Sequence, residues 1–434
     1  MRLGYRLVRG VAWNVLAAAF TNGGNLLTTL ILANILGKET LGEFAIAQST
    51  ILSISGIAQV AVGLTANKFV AQYRSEYKER AGQVLGLCAI VTVLTGCIGT
   101  CTLLFGASTI SRYFLATPSL ASTISLAAGA VLFSTMNGFQ VGALAGLEHY
   151  RGIASASLAH AIFYVPICAL LALFGGLQGV LIALIASAGV RWLFFNFVLA
   201  KELKRQGIRP TVKGLRYALG LLFTFAAPAA LAGVSALTAI WIGNAILVRQ
   251  ENGLAEMGIY TAANTLRVLL LLLPALMGNV GTSIINSFLE IRHVGRYRTT
   301  FWATLLVTCA SLVVGAAALL LPGKMFLGLF GAEFVVAAVL LPALLGGAVL
   351  EGISIAVYQI IQSRARMWTS LFLVSLPRDC LMVALAWVLV PHHGALGLAV
   401  AYLLAWGVAL TSIILISLRI GFPATAKEHQ VIVS

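Results

Sequence analysis

Acidic residues are almost missing from this chain: 13 Asp and Glu stand among 434 residues, and Asp379 is the single aspartate. Charged types of both signs reach only 9%, where a soluble domain carries about 25%. A chain so poor in charge cannot cover a water-facing surface, which excludes a soluble enzyme and a secreted domain. Cysteine is equally uninformative. Cys88, Cys97, Cys101, Cys168, Cys309 and Cys380 lie in apolar stretches without the spacing of a metal site, so they read as small packing residues and no metal is expected. No N-x-S/T acceptor occurs, and no G-x-x-x-x-G-K-S/T loop, so a nucleotide is not the expected driver. Nothing in the chain calls for a cofactor.

What is present is apolar length. Apolar types make up 60% of the chain, and a spanning helix needs about 20 such residues in a row. Twelve windows qualify: 12–36, 44–71, 83–107, 121–146, 155–174, 180–200, 218–243, 258–285, 300–321, 335–362, 369–390 and 398–418. The first is too long for a signal peptide and lacks a clear cleavage site, so it is expected to remain as a membrane helix. The net charge of +15 suggests nucleic acid at first sight, but the basic residues fill short gaps between the apolar runs. With the N-terminus inside, alternation puts 20 Lys and Arg on the cytoplasmic side and only Lys38, Arg112, Arg249 and Lys324 on the other. The positive-inside rule then places both termini in the cytoplasm, and excludes nucleic acid as the partner.

The two halves read alike. GEFAIAQ at 42–48 resembles GIYTAAN at 258–264, an offset of 216, and each opens the second helix of its half. NGFQVGALAGLEHYR at 137–151 resembles EGISIAVYQIIQSRA at 351–365, an offset of 214, and GGLQGVLIAL at 175–184 resembles HGALGLAVAY at 393–402, an offset of 218. Six helices separate equivalents, so both halves face the membrane in the same direction, as parallel repeats do. The expected fold is all-α and polytopic: about twelve transmembrane helices in two parallel-repeat six-helix lobes. Residues 1–200 form the N-terminal lobe, 201–217 a cytoplasmic linker, and 218–434 the C-terminal lobe with a short cytoplasmic tail.

Six helices plus six, the G-E-F-A-x-A opening of the second helix and the basic loop YRSEYKER after it resemble the polysaccharide (O-antigen type) flippases. These belong to the multidrug/oligosaccharidyl-lipid/polysaccharide exporter superfamily, and the resemblance covers essentially the whole chain. It implies two lobes in a V, set in the bacterial inner membrane. It also implies that they move an undecaprenyl-diphosphate-linked oligosaccharide from the inner to the outer leaflet for surface polysaccharide synthesis. The partners it implies are the lipid-linked glycan, membrane lipid and polysaccharide polymerase machinery.

Polar residues at helical spacing mark faces turned from lipid. Asn14, Thr21, Asn25 and Thr28 make one such stripe. Gln48, Ser55 and Gln59 make a second, Thr224, Ser235 and Thr238 with Pro228 a third, and Glu351, Ser354, Tyr358 and Gln362 a fourth. Interhelical packing explains any one stripe equally well. Deep charges say more. Arg191, Arg267 and Arg378 fall near the midplane of their windows, with Glu351 also inside, and a midplane arginine costs ~2.5–3.5 kcal/mol unless it faces a cavity or a partner. Asn264 precedes Arg267 on one face. Arg378 and Asp379 are adjacent in sequence and diverge on a helix, so Asp379 is expected to pair elsewhere, with Arg191 or Arg267.

Two ion pairs with one arginine left over is the bland account of these charges. The sharper account is a cationic cavity for a diphosphate head group, since guanidinium matches phosphate oxygens. The substrate-binding candidates are Arg267 first, then Arg378, Arg191, Asn264, Asn25 and Gln59, with Tyr358 and Trp241 as sugar contacts. Glu351 and Asp379 are the candidates for ion coupling. His160 reads as a packed residue.

Two other classes remain. A cation-coupled multidrug exporter of the same superfamily needs carboxylates in its cavity, and here the deep charges lean positive. A membrane glycan-processing enzyme needs acid and base groups at the interface, and the outer loops hold only scattered glutamates and no large extramembrane segment. No catalytic residue is expected.

Overall fold

The computed structural model describes the backbone of residues 2–59, 62–212, 215–290, 294–363 and 367–420. Side chains are described there except at 2–11, 14, 215–229, 273–290, 294–300, 362–363, 367 and 420. Asn14, Thr224, Pro228 and Gln362 of the polar stripes therefore lie outside the described side chains, as do the basic residues before Trp13 and Arg292, Arg296 and Arg298.

The described elements are helical, and three of them are far too long to cross a bilayer once. Tyr150–Gln206, at 57 residues, would run about 86 Å if straight. It does not. Arg2–Gln59 breaks at Gly37, Tyr150–Gln206 at Gly176 and Leu376–Ile420 at Gly394, each glycine having positive φ. A side chain at that φ is strained, so glycine lets a helix reverse in a single residue. Gly179 and Gly397 then pack against the carbonyls of Leu171 and Leu389, back across their turns.

Twelve legs result among the described residues. They are α1 (2–36), α2 (38–59, continued by Val62–Tyr73), α3 (Lys78–Thr109), α4 (Leu120–Ala127 with Gly129–Gly146), α5 (150–175) and α6 (177–206). The second half holds α7 (Leu215–Val248), α8 (Gly253–Glu290), α9 (Val294–Leu320), α10 (Leu341–Ser363), α11 (376–393) and α12 (395–420). A π turn, Leu371–Ser375, leads into α11, and a 3-10 segment, Ala332–Leu340, leads into α10. Large apolar side chains such as Phe105, Phe174 and Leu418 stand exposed on the outer faces, as lipid contact requires. The chain is a multi-pass all-α membrane protein.

The legs match the apolar windows, with longer ends. α6 continues to Gln206 and stops at Gly207 in the left-handed cap conformation, so the connection between the halves is shorter than 201–217 suggested. Beyond it the chain lies on α3, where the Thr211 amide donates to the Gly82 carbonyl at 3.1 Å. The cysteines divide: Cys88 and Cys168 pack inside as expected, whereas Cys97, Cys101 and Cys380 face outward.

The repeat is visible in the backbone. Gly176 (φ 53°, ψ −137°) and Gly394 (φ 53°, ψ −132°) adopt the same turn, 218 residues apart. All three reversing glycines lie at one end of the molecule, here the turn end; the basic loops lie at the other. The core forks between them. At the turn end one apolar cluster spans both halves, joining Leu41, Phe44 and Leu181 to Leu247, Met257, Phe334 and Leu398. Toward the basic end it divides. Val62, Phe69, Leu85, Leu144 and Phe195 form a core inside the first half, and Val357, Ile361, Val374, Ala409 and Ile413 another inside the second. Among the described residues the two lobes thus share a core at the turn end, and each has a core of its own toward the basic end.

Candidate functional site

Among the described residues, hydrogen bonds between the lobes gather at the turn end. Asn244 Nδ2 donates to Ser49 Oγ and Trp241 Nε1 to Thr50 Oγ1, both at 2.9 Å, and Ser53 Oγ donates to the Leu237 carbonyl at 3.1 Å. Asn34 Nδ2 donates to the Leu329 carbonyl at 2.7 Å, and the Lys38 amide to Glu333 Oε1 at 2.9 Å. The indole N–H of Trp241, a sugar-contact candidate, is therefore engaged between the lobes. Buried polar groups in lipid require partners, and for Thr50, Ser53 and Asn244 the opposite lobe supplies one.

Deeper in the legs stand the three arginines. Gly258 of α8 packs on the backbone of Lys38 in the other lobe. Nine residues on, at about 100° per residue, the opposite face of α8 carries Arg267, which points into its own lobe toward α10 and α12. There Arg267 Nη1 lies 3.5 Å from Glu351 Oε2, and the guanidinium stacks over the Tyr402 ring at 4.6 Å. The Tyr402 hydroxyl donates to the same Glu351 oxygen. Asn264 lies one turn before Arg267, half-buried. Tyr402 was not foreseen. Its signal was present, as a hydroxyl within the apolar HGALGLAVAY segment.

Arg378 and Asp379 correct the sequence reading. They pair with each other: Arg378 Nη2 and Nε stand 2.6 and 2.8 Å from Asp379 Oδ1. Adjacent helical residues do point apart, but three methylenes let the guanidinium fold back to its neighbour's carboxylate. Trp406 fixes that conformation by lying under the guanidinium at 4.6 Å. Ser235 Oγ of α7 donates to Asp379 Oδ2 at 2.7 Å, so the carboxylate is satisfied on both oxygens. Neither Arg191 nor Arg267 is its partner.

Arg191 is different. It stacks over Phe195, one turn later on α6, at 5.3 Å, and no described residue accepts a hydrogen bond from its buried Nε. Counted from Gly176 it lies about 23 Å from the turn end (~1.5 Å per residue), further toward the basic end than its window implied. Of the three deep arginines, it alone lacks a carboxylate among the described residues. Asn25 is exposed on α1, and Gln59 of α2 lies over Gly138 of α4, where a Cβ would collide with its carboxamide. The six substrate-binding candidates are thus divided. Arg267, Asn264 and Arg378 belong to the C-terminal lobe, and Arg191, Asn25 and Gln59 to the N-terminal one.

Residues 7–280 match the family described as polysaccharide biosynthesis protein. The EPS I polysaccharide export inner membrane protein EpsE of Ralstonia nicotianae is 24% identical over 363 residues, 81% of this chain and 80% of that protein. EpsE of Ralstonia solanacearum is 24% identical over 370 residues, with the same coverage. Among solved structures, an inward-facing multidrug resistance MATE family transporter of the MOP superfamily is similar with a TM-score of 0.75 at 17% identity, over 93% of this chain and 94% of that one. A MOP superfamily transporter from Pyrococcus furiosus, whose binding pocket is described as having reverse polarity, is similar with a TM-score of 0.72 at 18% identity, over 96% and 95%. At such identities the structures speak for the fold alone. The family match covers well over half of the chain, and on that ground this chain belongs to the polysaccharide biosynthesis protein family, built on the fold of the MOP superfamily transporters.

Proposed function

We propose that this protein is an alternating-access flippase. It moves an undecaprenyl-diphosphate-linked oligosaccharide from the inner to the outer leaflet for surface polysaccharide synthesis. The observation that carries this reading is the forked core: one cluster shared by both lobes at the turn end and separate clusters toward the basic end. Such a molecule opens toward the basic loops and is closed at the turn end. With the basic loops in the cytoplasm, both termini are cytoplasmic and the cleft faces the leaflet where the glycan carrier is made.

The diphosphate is held by the deep arginines, with Asn264, Asn25 and Gln59 supplying amides to head group and sugar. The prenyl tail stays in lipid. Glu351 and Asp379 are the carboxylates for ion coupling, and a small ion such as a proton or sodium would bind there only as the carboxylate leaves its arginine. No catalytic step is needed, so the protein is a transporter rather than an enzyme, and a polysaccharide polymerase is the partner that takes its product.

The multidrug exporter reading draws on the MATE fold. Against it, the two deep carboxylates already hold Arg267 and Arg378, which leaves neither open to an organic cation. A fluorescence-quench flipping assay in vesicles decides between them. Wild type is expected to flip an undecaprenyl-diphosphate glycan, Arg267→Ala to lose the activity and Arg267→Lys to keep part of it. Export of a cationic dye with no movement of the glycan would overturn the reading.

A further inference from the structure

The two lobes are repeats, so their equivalent positions can be compared, and one comparison is unequal. The hairpins α5–α6 and α11–α12 reverse at Gly176 and Gly394 in the same conformation. Counting back 16 residues from each turn gives His160 and Arg378; counting back 15 gives Ala161 and Asp379. In the C-terminal lobe the cation at this level is neutralised on the spot by Asp379, which also accepts from Ser235. In the N-terminal lobe the carboxylate's place is taken by alanine.

The basic groups have not gone with it. Arg191 stands 15 residues after Gly176 and His160 stands 16 before, so an antiparallel hairpin brings them to one level, about 24 Å from the turn. Each plane is steadied by an aromatic one turn later on its own helix: His160 stacks on Tyr164 with centroids 5.3 Å apart, and Arg191 lies over Phe195 at 5.3 Å. Among the described residues the buried Nε of Arg191 has no hydrogen-bond acceptor. Ala161 itself faces α1, packing on Gly24.

An arginine whose buried Nε has no acceptor is costly, and its twin lobe shows how the cost is met: with an anion at that level. We propose that His160 and Arg191 form a binding site for a phosphate-type anion, which occupies the place of the carboxylate missing at Ala161. Arg191 supplies two N–H groups and the charge, and His160 adds a ring N–H from the facing helix. This deepens the flippase reading, since it places the head-group phosphate in the N-terminal lobe and assigns His160 a contact. It does not depend on transport.

The test is binding, in nanodiscs of zwitterionic lipid, with inorganic pyrophosphate as probe. A second set of discs contains phosphatidylglycerol, and the lipid retained on the protein is counted by mass. Wild type is expected to bind. Arg191→Gln is expected to weaken binding about tenfold or more, the loss of one charge-assisted contact, and His160→Ala several-fold.

Ala161→Asp is the diagnostic variant. It restores the carboxylate of the other lobe beside His160, puts a fixed negative charge in the anion's place and is expected to abolish binding. Pyrophosphate bound in this pattern assigns the site to a soluble or head-group diphosphate; phosphatidylglycerol bound in this pattern assigns it to a lipid phosphate. Either supports the site. Binding of both probes that ignores Arg191→Gln and Ala161→Asp, or binding of neither by wild type, overturns it. Flipping is not measured here, so failure of the transport reading leaves this result standing, and the reverse.

Discussion

Gly42 of α2 and Gly258 of α8 meet the opposite lobe in the same way. A Cβ on Gly42 would collide with the Leu254 carbonyl, and a Cβ on Gly258 would collide with the Lys38 carbonyl. Glycine and contact partner are each shifted by 216 residues, so the repeat axis runs between the two helices. Side chains normally hold packed helices about 8–10 Å apart, and small residues allow backbones to come closer. This is where the lobes touch most intimately, at the end where they also share a core.

That contact predicts its own failure. Gly42→Ala and Gly258→Ala each place a methyl where a carbonyl now lies, and neither backbone can yield without moving a lobe. Both variants are expected to separate the lobes at the turn end. A disulfide between Ser49→Cys and Asn244→Cys, in a background stripped of the native cysteines, reports the distance. These side chains bond at 2.9 Å in the closed form, so oxidation is expected to link them readily and to arrest flipping until reductant is added. Adding either alanine should cut the cross-linked fraction several-fold. An unchanged yield would mean that the glycine contact does not hold the turn end closed.

Most of the fold could be read from the sequence, because lipid leaves few options. Apolar runs of spanning length must be helices, and the three reversals were marked by the breaks between windows. The halves were legible as repeats from three weak matches, and the matching turns at Gly176 and Gly394 are their physical counterpart. Pairing was not legible. The rule that neighbours on a helix diverge concerns Cβ directions, and arginine is long enough to defeat it, as Arg378 does. Which arginine lacks an acid depended on Tyr402, Trp406 and Ser235, three residues on other helices. Composition gave the surplus of deep positive charge. Only the pairing of Arg267 with Glu351 and of Arg378 with Asp379 leaves Arg191 as the deep arginine without a carboxylate among the described residues.

Asp379 is predicted to be the most sensitive of the deep charges. It is 4% exposed, and its two oxygens serve Arg378 and Ser235. Asp379→Ala strands the guanidinium in a site with no other acid among the described residues. Removing one partner of a buried ion pair costs about 3–5 kcal/mol. Ser235→Ala removes a single hydrogen bond and is expected to cost about 1–2 kcal/mol. Thermal unfolding in detergent should rank them in that order. The double change Arg378→Met with Asp379→Leu should recover most of the loss, because apolar replacement removes the desolvation cost along with the attraction. Equal melting temperatures for wild type and Asp379→Ala would show that Arg378 finds water.

A last prediction concerns pH at the basic end. His149 caps the start of α5, and its Nδ1 lies 3.3 Å from Glu202 Oε2 on the last turns of α6. Glu202 is 3% exposed and accepts from Gln206 at 2.6 Å and from Arg205 at 2.7 Å. Burial of the imidazole holds His149 below the usual histidine range. Glu202 opposes this, while Arg205, Arg151 and Lys201 reinforce it. The sign follows from linkage. Because the folded protein holds this proton less tightly than the unfolded chain, the contribution of neutral His149 is complete above about pH 6.5. It is lost as the pH falls through the unfolded value toward the folded one. Acidification from pH 7 to pH 5 is therefore expected to loosen the junction of α4, α5 and α6, read as faster amide exchange or proteolysis around Leu147–Tyr150. His149→Gln keeps a donor and removes the titration, so it should flatten that slope. Glu202→Gln removes the one group drawing the proton on, and should steepen it while costing about 1–3 kcal/mol for the lost charged hydrogen bonds. A slope that survives His149→Gln would assign the acid sensitivity to another group.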